Sequence, residues 1–327
     1  MIDRKRLSLG VRLVGTAVLL ATLLYLIDID ALRASTARID YRWLLAAAAI
    51  LVFLRLMLAY RWYYIMRRQG LAVGLGETVR TTLVAAAFGP LAPAGLGSDL
   101  FRGYRFANKY GGAAAIAAGI LLDRAVGVYS MLLVAGVGAA VIWYQGGADG
   151  WLMALIVLQA AVVAGWAAGI ALRDRVARYG AVSFRSRLVG RAWRSFVSFF
   201  VQLTDVALLR RVFLGSLSIS VVIQLVRCVM IYCLYRAFAY DLGLVHFVIY
   251  VPLLFLVMFL PVSVGGLGVR ESALVFFFTP LGVPAAVSFS VGIVAYGLQL
   301  LFSAAVVAAW LLSRLVVEGA QLSRPGR

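Results

Sequence analysis

The sequence predicts an all-α polytopic membrane protein, with about six spanning helices and two re-entrant helical hairpins in an inverted repeat. Three observations carry that prediction. Of the 327 residues, 64% are hydrophobic and 13% charged, against roughly 45–50% and about 25% in soluble domains. The apolar residues gather into runs of bilayer length. Two of those runs are broken in the middle by proline and glycine. This composition excludes a soluble globular domain, a disordered tail and a collagen-like fibre. Cys228 and Cys233 are the only cysteines and lie in an apolar run, which leaves no disulfide scaffold or cysteine-rich metal site. The single histidine, His246, leaves no multi-histidine centre. No metal and no cofactor is expected.

The formal charge is +18, and all but Lys5 and Lys109 of the basic residues are arginine. The arginines lie between apolar segments rather than in a basic–aromatic stripe, so they point to chain orientation and anionic headgroups, not to nucleic acid.

A spanning helix needs about 20 predominantly apolar residues. The first runs from about Leu7 to Ile27, with Arg12 near enough to one end to snorkel. Its basic start, Asp3-Arg4-Lys5-Arg6, would suit a signal peptide, but no A-x-A-like site follows Ile27, so an uncleaved span is expected. Trp43–Ile65, Gly111–Trp143, Trp151–Leu172, Val212–Tyr235 and Ala285–Leu312 follow as spans. The Arg173–Arg211 loop holds nine arginines against Asp174 and Asp205, which makes it cytoplasmic under the positive-inside rule. Both termini share that basic character. The loops at Asp28–Arg42, Gln145–Gly150 and Ala237–Leu244 lack a basic excess and should face outside.

Two apolar stretches remain. Thr81–Gly97 has basic flanks on both sides and is broken by Pro90, Pro93, Gly95 and Gly97. Val245–Leu281 is broken by Pro261 and by Gly265, Gly266 and Gly268. Each reads as a hairpin that enters and leaves on one side, which requires cover by protein or a water-filled cavity. Inside the basic loop, Phe196, Phe199, Phe200, Leu203 and Ala207 recur at helical spacing between arginines. Two readings are open there: a helix in the inner headgroup layer, or one packed on the protein's own cytoplasmic face.

The broken segments also resemble each other. Phe88-Gly-Pro90-Leu-Ala-Pro-Ala-Gly95-Leu96-Gly97 aligns without gaps to Phe259-Leu-Pro261-Val-Ser-Val-Gly-Gly266-Leu267-Gly268, 171 positions later. The chain thus reads as one integral membrane domain, 1–327, with repeats of about 43–145 and 212–313 joined through the basic loop at 173–211. In inverted-repeat transporters, interrupted helices meet near the midplane and form the substrate site.

Charged residues flank both breaks. Asp99 and Arg102 follow the first at i,i+3, and Arg105 continues their face. Arg270 and Glu271 follow the second, at the start of an expected half-helix Ser272–Phe278. A helix start with free N–H groups and an arginine suits a phosphate. Asp123-Arg124 interrupts the Gly111–Trp143 run. Asp99, Arg102, Asp123, Arg124, Arg270 and Glu271 are the candidate substrate-binding residues, with charge pairs that only brace helices as the alternative. Snorkelling is expected for Arg61 and Arg236, whereas Arg55 and Arg227 lie deeper and fit either role. His246 is expected at the interface, and the cysteines in packing.

Catalytic constellations are absent: no G-x-S-x-G, HExxH, Walker A loop or dinucleotide fingerprint occurs. No catalytic residue is expected. Broken helices and charges at the breaks point to a translocator of an anionic or phosphate-bearing lipid, a phospholipid or polyprenyl-type lipid. An intramembrane enzyme on a lipid-linked phosphate and a non-transporting assembly partner are the alternatives. A homo-oligomer or a partner from envelope-lipid biosynthesis is open.

The run Leu260-Pro-Val-Ser-Val-Gly-Gly-Leu-Gly-Val-Arg270-Glu271 resembles the L-P-x-S-x-G-G-x-G-x-R-E signature of the transmembrane, flippase-like domain of lysylphosphatidylglycerol synthases. Gly97-Ser-Asp99-Leu-Phe-Arg102 and Leu122-Asp123-Arg124 are similar to its G-x-[DE]-x-x-R and later acidic–Arg motifs. The likeness covers about Leu7 to Leu312 and implies lipid handling in a bacterial cytoplasmic (inner) membrane. The sequence ends at Arg327 without an aminoacyl-transfer domain, so synthase activity is not expected and the lysyl lipid becomes doubtful as substrate.

Overall fold

The computed structural model describes residues 39–89, 96–144, 150–179, 197, 206–259, 263 and 265–322. The expected first span, Pro90, Gly95, Pro261 and most of the amphipathic piece lie outside them. Along the chain run α1 (Tyr41–Arg68), α2 (Leu75–Phe88), α3 (Leu96–Tyr110), α4 (Ala113–Tyr144) and α5 (Gly150–Tyr179). Then come α6 (Val206–Ala237), α7 (Leu244–Val257), α8 (Val269–Phe278), a 3-10 turn at Thr279–Leu281 and α9 (Ala285–Leu322). No strand occurs among the described residues.

Four helices are long and apolar enough to cross a membrane: α1, α4, α6 over Val212–Ala237, and α9 over Ala285–Trp310. The chain is a multi-pass membrane protein. The expected span Trp151–Leu172 lies within α5. Several helices exceed their expected bounds. α6 begins at Val206 rather than Val212, and α9 continues to Leu322 rather than Leu312. The extra residues are more polar turns that apolar content alone does not mark.

The order long, short, short, long occurs twice, in α1–α4 and in α6–α9. α1 starts on Asp40, whose side chain accepts a hydrogen bond from the Arg42 backbone N–H at 2.9 Å. The Asp40 N–H in turn donates to the Ala237 carbonyl, at the far end of α6, at 2.9 Å. Near the other end of α1, Arg61 donates to Ser220 at 2.9 Å, and the Tyr64 hydroxyl lies against Gly215. The opening helices of the two units therefore run antiparallel, and they form the most extensive helix pair among the described residues.

Packing between the units is reciprocal. The short helix α7 packs on α4, the closing helix of the first unit. In exchange, α2 packs on α9, the closing helix of the second. α4 and α6 are central, with 50% and 44% of their most apolar stretch buried, against 22% for α1 and 17% for α9. Residues such as Phe53 on α1 and Leu301 on α9 point outward, where lipid rather than water is the apolar solvent.

The main core joins Leu51 and Leu54 of α1, Ile231 and Tyr235 of α6, Phe247 of α7 and Phe278 of α8. Tyr235 stacks on Phe278 with ring centroids 4.5 Å apart and donates to Ser288 of α9, or accepts from it, at 3.1 Å. A second core gathers Trp62, Met66, Phe106, Ile116 and Val126 around the α1–α3–α4 contact.

Candidate functional site

The glycine run of the second break shapes the start of α8. Gly268 holds φ 79°, a left-handed conformation open to glycine at little cost, and is the residue before the helix. Its N–H donates to the Glu271 carboxylate at 2.6 Å, so Glu271 caps its own helix. The helix consequently begins at Val269, three residues before the expected Ser272, and Arg270 and Glu271 occupy its first turn. Gly266, at φ 78°, has a second constraint: a Cβ there would sit 2.6 Å from the Met258 methyl carbon.

Gly266 and Arg270 open on a cavity of about 230 Å³. Gly89 and Ser98, which bound the first break, line the same cavity, so the two broken segments converge on one space. Among the described residues three arginines line it, Arg55 from α1, Arg227 from α6 and Arg270 from α8, and no carboxylate does. Arg270 is 5% exposed, and its Nη1, like the Nε of Arg55, has no hydrogen-bond partner. The three guanidiniums are backed by aromatic rings: Arg55 by Phe302 at 5.8 Å, Arg227 by Phe255 at 4.4 Å and Arg270 by Tyr296 at 5.2 Å. A ring face attracts a cation without cancelling its charge. The nearest acid is Glu271, 4.0 Å from Arg270 Nη1 and already held by Gly268.

The candidates of the first unit form a separate, compensated network. Asp123 of α4 accepts from Arg61 Nε at 2.7 Å and from Arg102 Nη2 at 3.4 Å. Asp99 of α3 pairs with Arg102 and accepts from Arg124 Nε at 2.5 Å. Arg102 also lies over Trp62 at 4.5 Å. A second cavity of about 140 Å³ is lined by Arg102, Asp123 and Thr82 and shares Arg55 and Ser98 with the first. The structure thus divides the six candidates, Asp99, Arg102, Asp123 and Arg124 in the network, and Arg270 and Glu271 beside the main cavity.

Three arginines need restating. Arg61 does not snorkel. It is 6% exposed and satisfied internally by Asp123 and Ser220. Its partners lie 62 and 159 residues away in sequence, beyond any helical spacing rule. Arg55 and Arg227 face the cavity with Arg270. Their depth within apolar runs was the one available signal. Arg236 stays near a helix end, paired with Asp241 and 5.2 Å from the Trp43 ring centroid. Both cysteines are buried and reduced, in packing positions. No cluster of metal-ligating side chains occurs among the described residues.

Helical in all its described elements and with four helices of bilayer length, the chain belongs to the class of polytopic membrane proteins. The family follows from the sequence match: residues 8–307 fit the family described as lysylphosphatidylglycerol synthase TM region, and the chain belongs to that family. Membership places it among proteins of membrane-lipid function. Neither a curated protein nor a solved structure matches the chain.

Proposed function

We propose that this protein translocates an anionic, phosphate-bearing lipid between the leaflets of a bacterial cytoplasmic membrane, without covalent chemistry on it. The observation that carries the reading is the cavity at which both broken segments meet, lined by Arg55, Arg227 and Arg270. Arginine presents a planar fork of donors that matches phosphate oxygens. Antiparallel opening helices and the reciprocal packing of the short ones support an inverted repeat, the architecture in which broken helices build a substrate site. In this reading α2–α3 and α7–α8 are re-entrant hairpins that enter from opposite sides. Both termini and the Arg173–Arg211 loop are cytoplasmic. A cysteine at Ser183 in a cysteine-free background should resist impermeant label in intact cells, and external labelling would overturn that topology.

Reconstitution in liposomes tests the function. Headgroup movement of a labelled anionic lipid supports translocation. A changed lipid mass would favour an intramembrane enzyme, and neither result would favour an assembly partner. Arg270→Lys should slow translocation while leaving melting nearly unchanged, Arg270→Ala should slow it further, and Glu271→Gln should slow it less. Normal translocation by a well-folded Arg270→Ala protein would end the headgroup-binding reading.

A further inference from the structure

We infer that the cavity selects a lipid whose headgroup ends in a doubly charged phosphate, a phosphomonoester or diphosphate, and rejects headgroups that carry an amine. This rests on the translocator reading and names its substrate class.

The argument is one of charge and geometry. Three guanidiniums face a space of about 230 Å³, large enough for a headgroup but not for acyl chains. Among the described residues the lining contains no carboxylate, and the Arg227 Nη1 donor meets only a neutral acceptor, the Gln224 Oε1, at 3.3 Å. Arg270 is buried and Arg55 and Arg227 are half-buried; charges withdrawn from water and left without compensation are costly, which makes an anion the natural occupant. Glu271 offsets one of the three charges at most, and its 4.0 Å separation from Arg270 leaves even that pair loose. An excess of about two positive charges remains, and a phosphodiester with its single charge balances only half of it. A terminal phosphate or diphosphate balances both and offers enough oxygens for guanidiniums arriving from α1, α6 and α8.

The same count excludes amines. An ammonium group in this cavity would meet three cations and no acceptor carboxylate. Glu271 does not line the cavity and is fully buried, with Oε2 held by the Gly268 N–H and Oε1 turned to Arg270 at 4.0 Å. Aminoacylated phosphatidylglycerol, with its added ammonium, is therefore disfavoured twice, by its lower anionic charge and by direct repulsion.

Binding to the purified full-length protein tests this, by titration with short-chain phosphatidic acid, phosphatidylglycerol, phosphatidylethanolamine, lysylphosphatidylglycerol and inorganic pyrophosphate. Phosphatidic acid should bind at least about tenfold tighter than phosphatidylglycerol, and the two amine lipids should not saturate. Arg227→Gln and Arg55→Gln should abolish that preference, Arg227→Lys should retain discrimination against amines, and Arg67→Gln, at the exposed end of α1, should leave it intact. Equal affinity for the mono- and dianionic lipids, or saturable binding of lysylphosphatidylglycerol, would overturn the inference. Tight pyrophosphate binding without phosphatidic acid binding would assign the site to a soluble anion and overturn its lipid part. Vesicle assays separate this inference from the translocator reading. Movement of amine lipids as fast as phosphatidic acid sinks the selectivity alone, whereas dianion-selective binding without movement of any lipid sinks translocation alone.

Discussion

The first unit and the cavity it shares with the second use buried and half-buried arginines in opposite ways. Arg61, Arg102 and Arg124 are held by Asp99 and Asp123 through charge-assisted hydrogen bonds and ion pairs, with Arg102 Nε left without a hydrogen-bond partner. Arg55, Arg227 and Arg270 have aromatic rings behind them and open space in front. Burial alone therefore does not separate a brace from a binding group. The separating feature is whether a carboxylate accepts a hydrogen bond from the guanidinium, as Asp99 and Asp123 do, whereas Glu271 stays 4.0 Å from Arg270. Compensated arginines fix helices against one another, whereas uncompensated ones hold an unfavourable charge that the proposed anion would relieve.

That contrast predicts opposite outcomes for mutations of similar kind. The largest loss of stability is expected from Asp123→Ala, which strips partners from both Arg61 and Arg102. Breaking a buried pair on one side costs about 3–5 kcal/mol, to be read from thermal melting in detergent. A loss near zero would move the network into the same category as the cavity.

Gly292→Ala comes next. A Cβ there would lie 2.9 Å from the Glu271 Cγ and 3.3 Å from its Cα, so α9 or the start of α8 must shift. Overpacking of this kind costs about 1–3 kcal/mol. By contrast Gly119→Ala meets only the flexible ends of Met66 and Gln69 and should be milder. Melting of the two variants side by side checks the order.

Arg55→Met and Arg227→Met should leave melting unchanged or raise it, since each removes an uncompensated cation from an apolar setting. Translocation should nevertheless fall. A hydrogen bond to a charged group contributes about 1.5–3 kcal/mol, equivalent to about 10- to 150-fold. Parallel loss of stability and transport would erase the distinction between the two groups of arginines.

The smallest effect belongs to a clasp outside both groups. Glu77 at the start of α2 accepts from Lys109 at 2.7 Å and from the Tyr110 hydroxyl at 2.6 Å, near the end of α3. Those hydrogen bonds hold the Glu77 carboxyl below its ordinary value of 4.5 and raise the Lys109 ammonium above 10.5. The depressed acid contributes above its unfolded value and loses that contribution as pH falls through the lower folded value. The raised base contributes below 10.5 and loses it as pH rises past the higher one. Protection of α2 and α3 amides against hydrogen exchange, taken relative to the rate of unprotected amides at each pH, should therefore be flat between those limits and fall beyond them. Glu77→Gln should hardly change melting at neutral pH, because exposed pairs contribute little.

Much of this fold was legible because its governing signals are local. Bilayer-length apolar runs located α1, α4, α6 and α9, and the repeated proline–glycine pattern located the gaps between short helices. The start of α8 was missed by three residues because the Glu271 cap depends on a left-handed Gly268, which residue type permits but does not demand. The site was legible only in part. Arg270 announced itself through its glycine-rich neighbourhood. Arg55 and Arg61 sit six residues apart on one helix, and no pattern in the chain reveals that one faces a cavity and the other an aspartate. That difference is set by helices α4 and α6, which arrive much later in sequence.

The exchange of short helices between the units has a consequence for the order of events during synthesis. The first unit cannot complete its interior alone: Arg61 waits for Ser220, and α4 waits for α7. At about 5–20 residues per second, the 97 positions between Asp123 and Ser220 take about 5–20 s to emerge. Throughout that interval a half-built bundle stands in the bilayer with broken backbone and an ion network still uncovered. The nascent chain must be sheltered for that time, by the insertion machinery or by lipid headgroups drawn inward, and slowing translation between α4 and α6 should make the protein more vulnerable to membrane proteases.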